Sequence, residues 1–387
     1  MSSTSSDPQT ILGIVTTVRH RAIGVTTITL VVVLAGCATP SMAPDRTLAT
    51  PLSAEKEALA VAKKSDLSDD SIERLVAADQ PGCSAAVAVG GELVWASARG
   101  LADLANGVPL TTTTRFDLAS ISKQFTATAI LMLQRDRLLS LADPVSQYVD
   151  GLPRWADQVT LDQLLHHTAR IPDFWVELER AGVEFADVAD QAATLDAIER
   201  ESTREAGDGY FYSNSHYVLL AAVVARVSGQ TLPDFLDGRI FTPLNLDMVV
   251  APGLQGPDIA ISYEADFSLR PGGWTAYGHT GVITTPTDLV RWGDQYRTGD
   301  LVQNDFAIGP VDDGDGARYA AGITINDDGT LSHSGRWGGY ISHFRVSADR
   351  DTVMAVACNG RGANRFGLAD ALWRLWAASP TQQTPAS

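Results

Sequence analysis

Runs that read as strands sit toward the two ends of this chain, and a mostly helical stretch separates them. Ser84 to Val89 and Glu92 to Ala98 flank a Gly90-Gly91 turn, the pattern of a two-strand hairpin. Far downstream come Arg318 to Ile325, Thr330 to His333, Tyr340 to Val346 and Thr352 to Cys358, with Asn326-Asp327-Asp328-Gly329 and Ala348-Asp349-Arg350 as turns. Strands split this way most economically join into one antiparallel sheet, leaving the insert as a helical lobe beside it. The expected class is α/β in the broad sense, of α+β type: an antiparallel sheet flanked by N- and C-terminal helices, plus an inserted all-helical lobe.

Helical spacing with polar caps covers Ser68 to Ala78, Ser120 to Leu138, Thr160 to His167, Val188 to Glu201, Ser215 to Val227, Thr287 to Gln295 and Asn364 to Ala377. With 387 residues, 45% of them hydrophobic, the chain is long enough to bury a sizeable core. The formal net charge is -17. That acidity argues against nucleic acid and against electrostatic docking on anionic lipid. It fits a merely soluble surface equally well.

Lysine is scarce. Only Lys56, Lys63, Lys64 and Lys123 occur among 29 basic residues. Arginine is never deprotonated in proteins, whereas a buried lysine can lose its proton. Lys123 closes the motif Ser120-Ile121-Ser122-Lys123, which opens an apolar helix. At i and i+3 the two side chains share a helix face, so the lysine can take the serine's proton and make it a nucleophile. The same spacing recurs at Ser53-Ala54-Glu55-Lys56, in a segment with no pocket to serve, and that copy is set aside.

Two further motifs follow. Tyr212-Ser213-Asn214 stands where a loop enters a helix; its tyrosine can join proton transfer if nearby cations lower its pKa. His333-Ser334-Gly335 ends a late strand, where glycine lets backbone N–H groups approach a ligand. His279-Thr280-Gly281 resembles it, but leads into a helix and reads as structural. The remaining histidines, His166, His167, His216 and His343, read as hydrogen-bonded core residues. Core packing is also the default for the eight tryptophans, with Trp175, Trp274 and Trp337 as candidates for cleft walls. No histidine spacing suits a metal site, and no cofactor motif is present.

The three motifs in this order, on helix, loop and strand, resemble the serine β-lactamase and penicillin-binding superfamily, and within it the class C β-lactamases, D,D-carboxypeptidases and related esterases. The stretches Asp117 to Thr126, Leu164 to Thr168, Tyr212-Ser213-Asn214 with Tyr217, and Thr285 to Leu289 carry the likeness, which spans about residues 70–378. It implies a β-lactamase/D,D-peptidase-like fold and hydrolysis through an acyl-enzyme on Ser120. Lys123 and Tyr212 would share the serine's proton. Asn214 would bond the substrate's acyl side chain, and His333 would line the cleft on an edge strand. Backbone N–H groups of Ser120 and Arg336, beside Gly335, would form the oxyanion hole. The substrate would be a small molecule or peptide with an ester, β-lactam or amide bond, with no cofactor. A catalytically silent lipoprotein that binds peptidoglycan fragments or a protein partner is the alternative. Oligomeric state stays open.

Two departures bear on specificity. Ala169-Arg170 follows His167-Thr168 where the family usually has Ser-Gly, so the loop at Ile171-Pro172 is expected to differ in shape. Many members have lysine where this chain has His333. Imidazole carries a fractional charge near neutrality, so neutral esters are expected to outperform β-lactams, and turnover of carboxylate substrates to improve toward about pH 6.

At the N-terminus, Arg19-His20-Arg21 precedes an apolar run ending Leu34-Ala35-Gly36-Cys37, which looks like a bacterial lipobox. This implies an exported lipoprotein anchored through Cys37, on the periplasmic face of the outer membrane, touching the membrane through its lipid only. The expected layout is a lipoprotein signal peptide over 1–36, a flexible tether over 37–67, a hydrolase domain over 68–378 and a disordered tail over 379–387. The two remaining cysteines, Cys83 and Cys358, invite a disulfide in an oxidising compartment. By the resemblance, their strands lie side by side and antiparallel.

Overall fold

The computed structural model describes residues 51–377, apart from residues 202, 203, 206, 271, 300, 303 and 304. The expected signal segment, Cys37, the start of the tether and the tail over 379–387 lie outside the described residues.

An eight-stranded antiparallel sheet organises the rest. Its order is Glu92–Arg99, Cys83–Val89, Thr352–Cys358, Tyr340–Val346, Leu331–Trp337, Thr324–Ile325, Arg318–Tyr319 and Val311–Asp312. The early hairpin therefore inserts beside the last long strand. Residue 83 pairs with 358 and 89 with 352. Cys83 and Cys358 stand opposite each other and are joined by a disulfide that closes a sequence separation of 275.

Side chains alternate across the sheet, which fixes what packs on each face. Ala85 and Val87 meet Ile72, Leu368, Leu372 and Trp376 from the helices Pro51–Leu75 and Arg365–Trp376. Ala86 and Ala88 belong instead to the core shared with Phe125, Val218 and Leu289. These come from the helices Lys123–Arg135, Asn214–Ser228 and Pro286–Gly293, which lie on the other face.

Three expectations are corrected. The tether does not run to residue 67, because the first helix starts at Pro51. Its alanines are the strongest helix formers, and Pro51 sits in the first turn, where proline is tolerated. Ser65, Ser68 and Ser71 bond the carbonyls of Val61, Lys64 and Leu67, one turn back, so Ser65, which read as linker, is satisfied within the same helix as Ser68 and Ser71. The helix expected from Ser120 is a 3₁₀ turn over Ala119–Ser122 followed by an α-helix over Lys123–Arg135. The strand expected over Arg318 to Ile325 is instead a tight pair of two-residue strands. Gly322 turns between them at φ +74°, so close to the Lys123 backbone that a Cβ would stand 2.7 Å from its carbonyl.

Candidate active site

Ser120 is presented by a tightly fixed turn. Phe116–Asp117 pairs with the strand Val282–Thr284, anchoring the approach. Ala119 then takes a left-handed conformation, φ +51°, unusual for a residue with a side chain. Asp117 supports it: one carboxylate oxygen accepts the Ala119 N–H at 2.7 Å and the Thr280 hydroxyl at 3.1 Å. Burial pushes this carboxyl up to about 6, against the pull of those bonds.

Lys123 is fully buried, and its Nζ makes three contacts. It stands 3.2 Å from Ser120 Oγ, 2.8 Å from Asn214 Oδ1 and 3.0 Å from the His279 carbonyl oxygen. Burial lowers its pKa to about 7, partly offset by the charge of Asp173. A neutral amine beside a serine hydroxyl is a general base in hydrogen-bond reach of the proton it must take. The His279-Thr280-Gly281 stretch, expected to be merely structural, supplies a carbonyl to this lysine and two donors to Asp117.

Tyr212 is in hydrogen-bond contact with Ser120, and Lys123 Nζ lies 4.8 Å over its ring. The nearby cation does not lower its pKa. The residue as a whole is 37% exposed, but burial around the hydroxyl holds the phenol well above its usual value. Tyr212 is thus placed as a neutral phenol, able to donate and relay a proton rather than to act as a phenolate base.

Asn214 opens the helix Asn214–Ser228 and is more committed than expected. Its Oδ1 accepts from Lys123, and its Nδ2 donates to Asp173 Oδ2 at 2.9 Å. One amide hydrogen remains for a substrate. Asp173, from the Ile171-Pro172 loop, also accepts the Asn214 backbone N–H at 3.1 Å. Burial raises its carboxyl to about 6, with Asn214 and Lys123 pulling the other way. Sequence reasoning did not pick out this residue. The only signal was its place five residues after the His-Thr pair.

His333 does not play the part expected of it. Its Nδ1 is 2.9 Å from the Ser334 carbonyl oxygen and so carries the proton, leaving Nε2 to accept the Tyr319 hydroxyl at 3.3 Å. Burial, then the neighbouring Lys123, depress its pKa to about 3. Both nitrogens are engaged and the ring stays neutral at pH 6, so it gains no charge there for a substrate carboxylate. Its strand is also internal to the sheet, although beyond Ser332 no described strand pairs with that side. Gly335 sits where this strand meets the serine turn: a Cβ would stand 2.2 Å from the Leu118 carbonyl oxygen and 2.9 Å from the Ala119 Cβ. Arg336 alternates to the opposite face and shares the neighbourhood of Arg365, so only its backbone faces Ser120's side.

Trp337, Trp274, Phe185 and Tyr340 line a cavity of about 370 Å³ at the end of this strand. Trp274 and Trp337 thus wall a cavity whose lining includes none of Ser120, Lys123 and Tyr212, while Trp175 is 45% exposed. His167 and His216 pair through their Nδ1 atoms at 2.9 Å in the lobe interior and fit the structural reading. Among the described residues no cluster of His, Cys, Asp or Glu could hold a metal ion.

Comparison with known proteins agrees with this geometry. The chain is 29% identical over 286 residues to penicillin-binding protein 4* of Bacillus subtilis (strain 168), covering 65% of this chain and 62% of the relative. It is 27% identical over 272 residues to a D-aminopeptidase of Brucella anthropi, covering 67% and 51%. The chain thus spans about half to six-tenths of the length of these relatives. Among solved structures, a penicillin binding protein from Bacillus halodurans superposes with a TM-score of 0.68 at 22% identity, covering 81% of this chain and 99% of that one. A D-amino acid amidase from Ochrobactrum anthropi SV3 gives 0.66 at 22% identity, covering 82% and 98%. These likenesses establish the fold. The Beta-lactamase family model matches residues 69–378, from the first helix through the last, and this chain belongs to that family.

Proposed function

We propose that the protein is a serine hydrolase working through an acyl-enzyme on Ser120. The buried Lys123 amine, 3.2 Å from Ser120 Oγ and with its pKa brought down to about 7, is the observation that carries this reading. The free amine takes the hydroxyl proton as Ser120 Oγ attacks the substrate carbonyl carbon. The resulting oxyanion is met by the backbone N–H groups of Ser120 and Arg336. As the intermediate collapses, the bond to the leaving group breaks, and the proton returns to that group through the neutral Tyr212 phenol. Water then cleaves the acyl-Ser120 ester by the same steps in reverse order, regenerating both groups.

Esters and amides of small molecules or short peptides suit this site best. Relatives named as a penicillin-binding protein and as D-aminopeptidases support that range. The neutral His333 and the turned-away Arg336 offer no fixed cation for a substrate carboxylate, which favours neutral substrates over β-lactams. A panel of p-nitrophenyl acetate, nitrocefin and D-Ala-D-Ala peptides, with Ser120→Ala as control, tests the reading. Hydrolysis of the acetate that disappears in Ser120→Ala supports it; no turnover of any substrate, with no labelling by a fluorescent phosphonate, would mark a silent binder instead. Export and lipid anchoring through Cys37 belong to the same proposal, supported by the lipobox. Incorporation of labelled palmitate that is lost in Cys37→Ser is the expected result, and wild-type protein without label would contradict it.

A further inference from the structure

Three consecutive residues, Phe211, Tyr212 and Ser213, are gripped by one buried residue that the chemistry above does not use, His167. The Phe211 N–H donates to the His167 carbonyl oxygen at 2.6 Å, and the Ser213 N–H donates to His167 Nδ1 at 3.3 Å. Between these two bonds the Tyr212 ring lies against the imidazole, with centroids 4.3 Å apart and planes inclined by 37°. Such a contact fixes the ring without engaging its hydroxyl, which keeps its bond with Ser120. His167 holds this grip from a left-handed backbone, φ +56°, a conformation in which histidine is enriched among residues with side chains.

His216 decides which nitrogen of His167 accepts. Both residues are fully buried. The Ile171 N–H donates to His216 Nε2 at 3.3 Å, so that nitrogen is bare and the neutral ring carries its proton on Nδ1. This N–H meets His167 Nδ1, 2.9 Å away. His167 Nδ1 is therefore bare as well, as the Ser213 donor also requires, and shares its acceptance between the two. Burial, then His216 and Lys123, hold the His167 pKa well below the usual histidine range; burial, then Lys123, bring His216 down to about 3. Both rings stay neutral at working pH. The pair ties His167 to the helix Asn214–Ser228, which begins two residues after Tyr212.

We propose that His167, held in one tautomer by His216, is the positioning residue for Tyr212, fixing the phenol where it returns the proton to the leaving group. The assignment rests on the acyl-enzyme reading of Ser120 and Tyr212. It makes a specific demand on kinetics. A misplaced phenol matters most when the departing oxygen needs a proton, and least when it leaves readily as an anion. A general loosening of the fold lowers all substrates alike.

The experiment measures kcat/KM for p-nitrophenyl, phenyl and trifluoroethyl acetate, which demand protonation of the leaving oxygen in increasing order. All three give the same acetyl-Ser120, so differences among them arise in acylation. Tyr212→Phe should lose at least about tenfold more activity on trifluoroethyl acetate than on p-nitrophenyl acetate, the scale of a lost proton donor. His167→Leu should show the same selective loss, and adding it to Tyr212→Phe should cost nothing further on trifluoroethyl acetate. His167→Asn keeps an acceptor near the Nδ1 position and tolerates the left-handed backbone, but lacks the ring contact. It should show an intermediate selectivity, which decides the matter if the leucine variant does not fold. Equal losses on all three esters in a folded His167 variant, or an additive double variant, would overturn the inference and leave His167 as a packing residue. Tyr212→Phe without selectivity removes the relay role, and the inference with it. Phosphonate labelling runs in parallel: wild-type protein that takes no label and turns over no ester sinks the hydrolase reading itself, whereas labelling with selectivity in Tyr212→Phe alone sinks only the role of His167.

Discussion

Replacing Lys123 with arginine isolates the feature on which the chemistry depends. The charge and much of the bulk stay, but the ability to give up a proton goes. At a pKa of about 7 the lysine is roughly half free base at pH 7, whereas an unburied lysine near 10.5 would be about 0.03% free base. Burial thus enlarges the pool of usable base by about a thousandfold, and arginine forfeits all of it. The three contacts of Nζ, to Ser120, Asn214 and the His279 carbonyl, also suit a compact point donor rather than a planar fork. Lys123→Arg should therefore lower kcat/KM for p-nitrophenyl acetate by about a hundredfold to a thousandfold at pH 7, or roughly 3–4 kcal/mol of barrier. Because the site is fully buried, thermal melting should accompany the assay, and Lys123→Met, which keeps length without charge or base, should show a comparable loss. A folded Lys123→Arg protein retaining more than about a tenth of wild-type activity would refute the assignment of Lys123 as the base.

Other perturbations follow from the same geometry. The rate on a neutral ester should rise between about pH 6 and pH 8, because Lys123 loses its proton through about 7 and only the free amine can act; a rate that climbs toward pH 6 would instead implicate a histidine gaining charge. Gly335→Ala should cost activity more than about tenfold and lower the melting temperature, since the added Cβ would lie 2.2 Å from the Leu118 carbonyl oxygen and the serine turn would have to move; wild-type melting and kinetics would contradict that close approach. Removing both cysteines, Cys83→Ala with Cys358→Ala, should destabilise the protein by about 2–5 kcal/mol in denaturant titration, because the bridge closes a separation of 275 residues; an unchanged midpoint would show that the bridge contributes nothing to the folded state.

The outline of the fold was legible because its strands follow simple alternation between recognisable turns. Tyr340–Val346 and Thr352–Cys358 begin and end where pattern and turn residues put them. The N-terminal two thirds of the first helix, ahead of Ser68, was not, because its serines and alanines suit a linker by composition, and the i−4 bonds from Ser65 and Ser68 to Val61 and Lys64 show how the serines are satisfied. Ser120, Lys123 and Tyr212 were nameable from motif spacing, and the structure brings them together. Their tuning was not, since pKa depends on burial that spacing cannot report. His333 was expected to gain charge near pH 6 and is instead held neutral by burial and by the neighbouring Lys123, while its Nε2 accepts the hydroxyl of Tyr319, a residue hidden in what read as an ordinary strand. Asp173 reaches the site because its loop folds back onto the start of the Asn214 helix, a long-range contact that its place five residues after the His-Thr pair does not by itself reveal.

The most direct test of the central claim is to trap the acyl-enzyme. Protein incubated with a fluorophosphonate, or with an ester quenched in acid, should gain one adduct in intact-mass spectrometry. Peptide mapping should place it on Ser120, and Ser120→Ala should take none. An adduct on another residue, or equal labelling of Ser120→Ala, would contradict the account.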